Sequence, residues 1–405
     1  MKKRQSENGI RWLSGYDFSL LFVVLFLCVF GLIMIYSSSY YTAESKLHNG
    51  MYYFRHQLML YGLGLAAAIV ISLIPHRFYA FFVWPAYALA VICMILTDFT
   101  KLGINVNGQT RWMQVTKSIS FQPAELVKIA IILLTAFLIH RYAKEIDRTK
   151  WLLIIMGLCA LPGLLVLKNN LSSGVIIFAI PIAMIMLVSE KKTRKIVFWV
   201  GMGLVLALMI TIKVIPLDTL IRIGEKIEET GLLKAYQLKR IYIWNQPMYD
   251  AGGDGYQVVQ GLYAIGSGGV FGKGLGASTQ KLGFVPESSN DMIFAILCEE
   301  LGLFGAIALI VLYLFLLYRM MMIANRSKDL FGSMIVVGVM AHIALQVILH
   351  IGVVSGIFPN TGVTLPFVSY GGTASLFYMG EIGMVLSVGK DNPEMEIVEE
   401  EGERP

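Results

Sequence analysis

Ten stretches of this chain are too long and too apolar to be buried helices of a soluble domain. They cover approximately residues 17–39, 57–75, 79–98, 123–142, 151–167, 172–189, 196–215, 291–319, 330–354 and 372–389. A helix rises 1.5 Å per residue, so about 20 apolar residues cross the roughly 30 Å hydrocarbon layer of a bilayer. Within that layer each backbone N–H and C=O must find its partner inside the protein, which a long helix achieves alone. The chain therefore reads as an all-α polytopic membrane protein with about ten transmembrane helices. Its composition agrees: 56% of 405 residues are hydrophobic and 15% are charged, against roughly 25% charged in soluble domains.

The basic residues give the orientation. The connections containing "MKKR", "HRYAKEIDRTK", "SEKKTRK" and "RMMMIANRSKD" are short, basic and alternate along the chain, so they are expected on the cytoplasmic face. Ten spans then leave both termini cytoplasmic. The first span outlasts a signal-peptide core and has no small-residue cleavage site behind it, so it is read as uncleaved. This placement accounts for the net charge of +6 without nucleic acid as a partner. The expected organisation is one transmembrane domain over 1–390 and an acidic cytoplasmic tail over 391–405. All four cysteines fall in apolar runs, where packing is the expected role rather than disulfides or metal binding.

One large segment, 216–290, falls on the opposite face, together with the loop 99–122 and the uncharged stretch 355–371, which reads as re-entrant. Residues 218–240 alternate apolar and charged positions at helical spacing, as in a helix lying on the membrane surface. Beyond it, "NQPMYDAGGDGYQVVQGLYAIGSGGVFGKGLGASTQKLGFVPESSND" has too many glycines for a long helix and reads as an ordered turn-rich segment or a re-entrant element. Within it, "GSGGVFGKGLGAS" invites a phosphate-loop reading. It is not a Walker A loop: Ser267 stands where the motif needs glycine, and Gly274 follows Lys273 where it needs Ser or Thr. Flexible backbone beside Lys273 and Lys281 would suit a nest for a pyrophosphate, or only a turn in the chain.

Several charges fall near the ends of the apolar runs. In "FQPAELVK", Pro123 suits the first turn of a helix, and Glu125 and Lys128 share a helix face three residues apart. They read either as a structural bridge or as a pair that positions substrate, in which case Lys128 matters to activity rather than folding. Arg111 lies upstream on the same face, where a guanidinium can grip phosphate. His342 and His350, eight residues apart, read as packing histidines. In "PESSNDMIFAILCEE", Asp291 stands at the mouth of a helix, either as an N-cap or as a general base. Glu299 and Glu300 are deeper and are expected to pair with cations or backbone inside the bundle.

Three blocks in order carry a family resemblance: "FQPAELVK", the run from "YQLKRIYIWNQPMYDAGGDGYQ" through "PESSNDMIFAILCEELGLFG", and "FPNTGVTLPFVSYGGTAS". They resemble the SEDS family, FtsW, RodA and SpoVE, over essentially all ten spans. "IMIYSSSYYTA" and "TGVTLPFVSYGGTAS" lean toward the division and sporulation branch.

The resemblance implies a peptidoglycan glycosyltransferase that polymerises lipid II at the outer face of the bacterial cytoplasmic membrane. It also implies a class B penicillin-binding transpeptidase as partner. Asp291 matches the family's essential aspartate, with Met292 where phenylalanine is usual. The implied substrate-binding set is Arg111, Glu125, Lys128, Arg240, Gln257, Ser267, Lys273, Lys281 and Glu287. Where the family often has a carboxylate after the fifth span, this chain has Asn170, which is left out of the site. The sequence fixes no cofactor, although Mg or Mn is compatible with a pyrophosphate leaving group. Two other readings stay open: a lipid II flippase, and a non-catalytic scaffold that recruits the transpeptidase.

Overall fold

The computed structural model describes residues 16–106, 109–116, 119–229 and 235–390. The basic start of the chain and the acidic tail 391–405 lie outside the described residues.

Thirteen α-helices carry the architecture of the described residues. They are α1 (Phe18–Leu47), α2 (Tyr52–Leu73), α3 (Tyr79–Phe99), α4 (Pro123–Arg141), α5 (Thr149–Asn169), α6 (Leu171–Val188) and α7 (Lys192–Val214), then α8 (Leu217–Glu229), α9 (Ala235–Asn245), α10 (Tyr256–Gly268), α11 (Ile293–Arg326), α12 (Leu330–Val354) and α13 (Ala374–Lys390). Among the described residues, nine helices are long and apolar enough to cross a membrane. The tenth expected span, α13, has 17 residues and packs lengthwise against α2. Its Gly383 faces Ala68, where a Cβ would meet the Ala68 carbonyl oxygen at 2.7 Å. Small residues of this kind let membrane helices approach closely.

Local sequence sets several helix starts. Asp17, Asn170 and Asp329 each accept a backbone N–H in the first turn of α1, α6 and α12, which satisfies a donor that a helix leaves open. Pro123 opens α4, most of whose residues are buried. At the other extreme α7 buries none.

The loop 99–122 is more ordered than its sequence suggested. Strands β1 (Gly103–Val106), β2 (Gln109–Thr116) and β3 (Ile119–Phe121) form an antiparallel sheet in that order. The surface helix expected over 218–240 corresponds to α8 and α9, on either side of residues 230–234. The glycine-rich stretch includes the 13-residue helix α10.

Helix α11 is interrupted at Gly302, with φ 66° and ψ −165°. The glycine-rich loop after α10 fills the break. Lys273 N–H donates to Glu299 O and Gly274 N–H to Glu300 O, while Leu303 and Phe304 N–H donate back to Gly269 O and Val270 O. A Cβ on Gly302 would lie 2.3 Å from Gly272 N, so only glycine permits this approach.

Candidate active site

Asp291 stands on a hooked turn just before α11. Glu287 enters the turn at φ 52°, and its carbonyl accepts from Asn290 N and Met292 N at 3.0 and 3.2 Å. Three further bonds tie the hook to other parts of the bundle. Ser288 Oγ donates to Ser38 O of α1 at 3.0 Å. Ser289 O accepts Tyr370 N at 2.8 Å, and Asn290 O accepts Ser369 Oγ at 2.8 Å. The N-cap of α11 is Met292, and no side chain caps this helix. Asp291 is therefore not a cap, which corrects that reading and leaves its carboxylate available for chemistry.

Arg111 reaches the same place from β2. Its Nε donates to Asn169 O at 2.9 Å, and Asn169 Nδ2 donates in turn to Asp98 Oδ1 at 2.6 Å. Asn170, the departure from the family pattern, is used locally: its side chain accepts Ser173 N as the cap of α6. Gly362, at φ +68°, comes up against Asp291 and Arg111 together. A Cβ there would lie 2.9 Å from Asp291 Oδ2 and 3.5 Å from Arg111 Nη1. Glycine thus keeps the carboxylate and the guanidinium accessible above the re-entrant segment.

Burial pushes the Asp291 carboxyl up to about 6, and the negative charge of Glu287 adds to the rise. Arg111 and Arg240 pull it back. Glu287, Arg111 and Arg240 thus each act on the Asp291 carboxyl. An acid near 6 is largely ionised at neutral pH yet basic enough to take a proton.

The remaining sequence candidates divide into three groups. Gln257, in the first turn of α10, accepts Asn360 Nδ2 at 3.2 Å, which ties that turn to the re-entrant segment. Glu125 and Lys128 are both buried, with Lys128 Nζ 2.8 Å from Glu125 Oε2. Their charges reach His342 and Glu381, which bond to each other at 2.8 Å. His342 is thus a charged group's neighbour as well as a packing residue.

Ser267, Lys273 and Lys281 do not form a pyrophosphate nest. Lys273 Nζ lies 2.6 Å from Glu299 Oε1. Lys281 Nζ spends its donors on Glu300 Oε1, Ser37 Oγ and Gly276 O, all within 2.8 Å. Ser267 Oγ donates to Ala264 O at 3.1 Å. The loop N–H groups of Gly272, Lys273 and Gly274 are bonded to carbonyls. Two buried carboxylates on α11 claim these cations, because a buried charge without a partner is costly.

The family profile described as "Cell cycle protein" (FtsW, RodA and SpoVE) matches residues 18–394. The chain belongs to the FtsW/RodA/SpoVE family. Within that family it is 34% identical over 385 residues to the probable peptidoglycan glycosyltransferase FtsW of Bacillus subtilis, covering 93% of this chain and 91% of that one. The stage V sporulation protein E of the same organism is 33% identical over 381 residues, covering 92% and 97%. The fold resembles a chain of a peptidoglycan synthase complex solved to show how polymerization and crosslinking are coordinated. That match has TM-score 0.71 at 23% identity and covers 94% and 99% of the two chains. Thermus thermophilus RodA gives 0.63 at 21% identity, covering 93% and 98%.

Sequence reasoning missed Gly362, Asn360, Asn169 and the Tyr370–Ser289 bond. Of these, only Gly362 carried a signal, as the lone glycine amid "PNTGVTLP".

Proposed function

We propose that this chain is a peptidoglycan glycosyltransferase that polymerises lipid II, with Asp291 as its general base. The observation that carries the reading is the uncapped carboxylate of Asp291, titrating near 6 between Arg111, Arg240 and Gly362. Asp291 takes the proton from the 4-hydroxyl of one sugar as that oxygen bonds to the anomeric carbon of another. The bond from that carbon to the lipid pyrophosphate breaks, and its electron pair leaves with the pyrophosphate. Arg111 and Arg240 supply positive charge where negative charge develops. One base and one displacement invert the anomeric centre, as in reactions without a covalent sugar intermediate.

Magnesium is commonly held by one or two carboxylates together with substrate phosphates. Glu287, beside Asp291, would supply one such carboxylate, and a divalent cation held there with the substrate phosphates would add charge stabilisation to the leaving group. Among the described residues no group of three or more His, Cys, Asp and Glu side chains offers a protein-only metal cage.

The site end of the bundle faces the cell exterior in this reading, with both termini in the cytoplasm of a bacterial cell. The short basic connections support that orientation. A class B transpeptidase is the proposed partner, in line with the synthase complex whose chain this fold resembles.

Strand formation from labelled lipid II by the purified chain, with and without its transpeptidase, tests the function. A scaffold or flippase makes no strands under either condition.

A further inference from the structure

The segment 359–370 runs without regular secondary structure between α12 and α13, deep among helices, so its backbone carbonyls need donors from elsewhere. Four side chains from three helices of the bundle provide them. His350 Nδ1 bonds to Val363 O at 2.6 Å. Gln346 Nε2 donates to Thr364 O at 3.2 Å. Tyr313 OH donates to Pro366 O, and Tyr61 OH to Phe367 O at 2.7 Å. A carbonyl only accepts, so Nδ1 of His350 carries the proton. His350 and Gln346 lie one turn apart on α12, and both are buried.

The order of these anchors matters. Val363 and Thr364 directly follow Gly362, the residue pressed against Asp291 Oδ2 and Arg111 Nη1. Pro366 and Phe367 are four and five residues beyond it. Phe367 is itself held at φ 63°, a conformation a bulky residue keeps only when its surroundings impose it. The two α12 side chains therefore fix the height of Gly362 beneath the carboxylate. The two tyrosines pin the far end of the segment to α11 and α2.

We infer that His350, assisted by Gln346, is a positioning residue for glycosyl transfer: by holding the carbonyls beside Gly362 it sets the space in which Asp291 and Arg111 meet substrate. The inference rests on Asp291 being the base. His350 touches neither substrate nor reacting atoms, and it acts through the segment it holds.

The test uses the full chain co-purified with its transpeptidase, with initial rates of strand formation from labelled lipid II. His350→Leu removes the donor at similar bulk, and turnover falls by about a hundredfold, the scale of a misplacement of about 1 Å, with KM changed by less than about threefold. His350→Asn places an amide N–H near the former Nδ1 and restores turnover to within about threefold of the parent. Tyr61→Phe removes the far anchor, lowers thermal stability, and leaves turnover within about threefold. Should His350→Leu fail to fold, Gln346→Leu is read by the same criteria.

Normal turnover in the leucine variant overturns the inference, as does a folded asparagine variant as inactive as the leucine one. Asp291→Asn is run alongside. If that variant is active, the base assignment itself fails. If it is inactive while His350→Leu is normal, only the positioning role fails.

Discussion

Lys128 Nζ lies 2.8 Å from Glu125 Oε2, and neither side chain reaches solvent. A pair this deep is costly to break, because the surviving charge has no water to return to. Lys128→Met is expected to destabilise the protein by about 3–5 kcal/mol, the usual penalty for halving a buried pair. This revises the expectation that Lys128 matters to activity alone. The double variant Glu125→Gln/Lys128→Met should recover most of the loss, as read by unfolding in detergent. If both proteins are equally unstable, the pair is not the source of the penalty.

Asp291→Asn keeps the size of the side chain and removes only its basicity. Since Asp291 makes no capping bond, thermal stability should stay close to that of the parent. Strand formation should fall by at least about a hundredfold, the lower range for loss of a general base. Near-normal strand synthesis would remove Asp291 from the mechanism.

The acidity of Asp291 makes a separate prediction. A base works only when deprotonated, so activity should rise with pH through about 6. Glu287 contributes to the raised value through its negative charge. Glu287→Gln should therefore lower the pKa of Asp291 and move the acid limb of the rate profile to lower pH. A shift upward, or none, would show that another group controls that limb.

Orientation is tested by single cysteines at exposed positions in or beside the connections between spans. Ala277 and Thr193 are both exposed, at opposite kinds of connection, and the four native cysteines are buried. Ser288 would be a poor reporter because it is buried against α1. In intact cells an impermeant thiol reagent should label Ala277→Cys and spare Thr193→Cys. The reverse pattern would place the candidate site on the cytoplasmic side.

Much of the scaffold was legible because a membrane imposes a length requirement that apolar runs reveal directly. Asp291 was legible through the block around it. The partners of Glu299 and Glu300 were harder to see: Lys273 and Lys281 lie 26 and 19 residues earlier, and no periodicity links such distances. The strands at 103–121 are short and pair locally, so they carried little apolar pattern. His350 and His342, eight residues apart, form no ligand pattern by themselves. With Gln346 between them, the three polar groups form a stripe at every fourth position of α12. That spacing was present in the sequence, but the carbonyls the stripe serves could be found only in three dimensions.

The interruption at Gly302 has a consequence for how this chain tolerates changes in length. Four backbone hydrogen bonds cross between the loop at 269–274 and the residues around the break, and each depends on the same alignment. One residue added between Val270 and Lys273 would put the two bonds beyond it out of step with the two before it. An addition at Gly252, where a side chain meets nothing within 4 Å, disturbs only the local turn in which Gly253 and Gly255 N–H donate to Asp250 O, and no pairing with another helix's backbone. Insertions scanned across 251–276 should therefore be accepted near the first end and rejected near the second, although both stretches are equally rich in glycine to the eye. Loop length here is a fitted dimension, set by a helix that lies outside the loop.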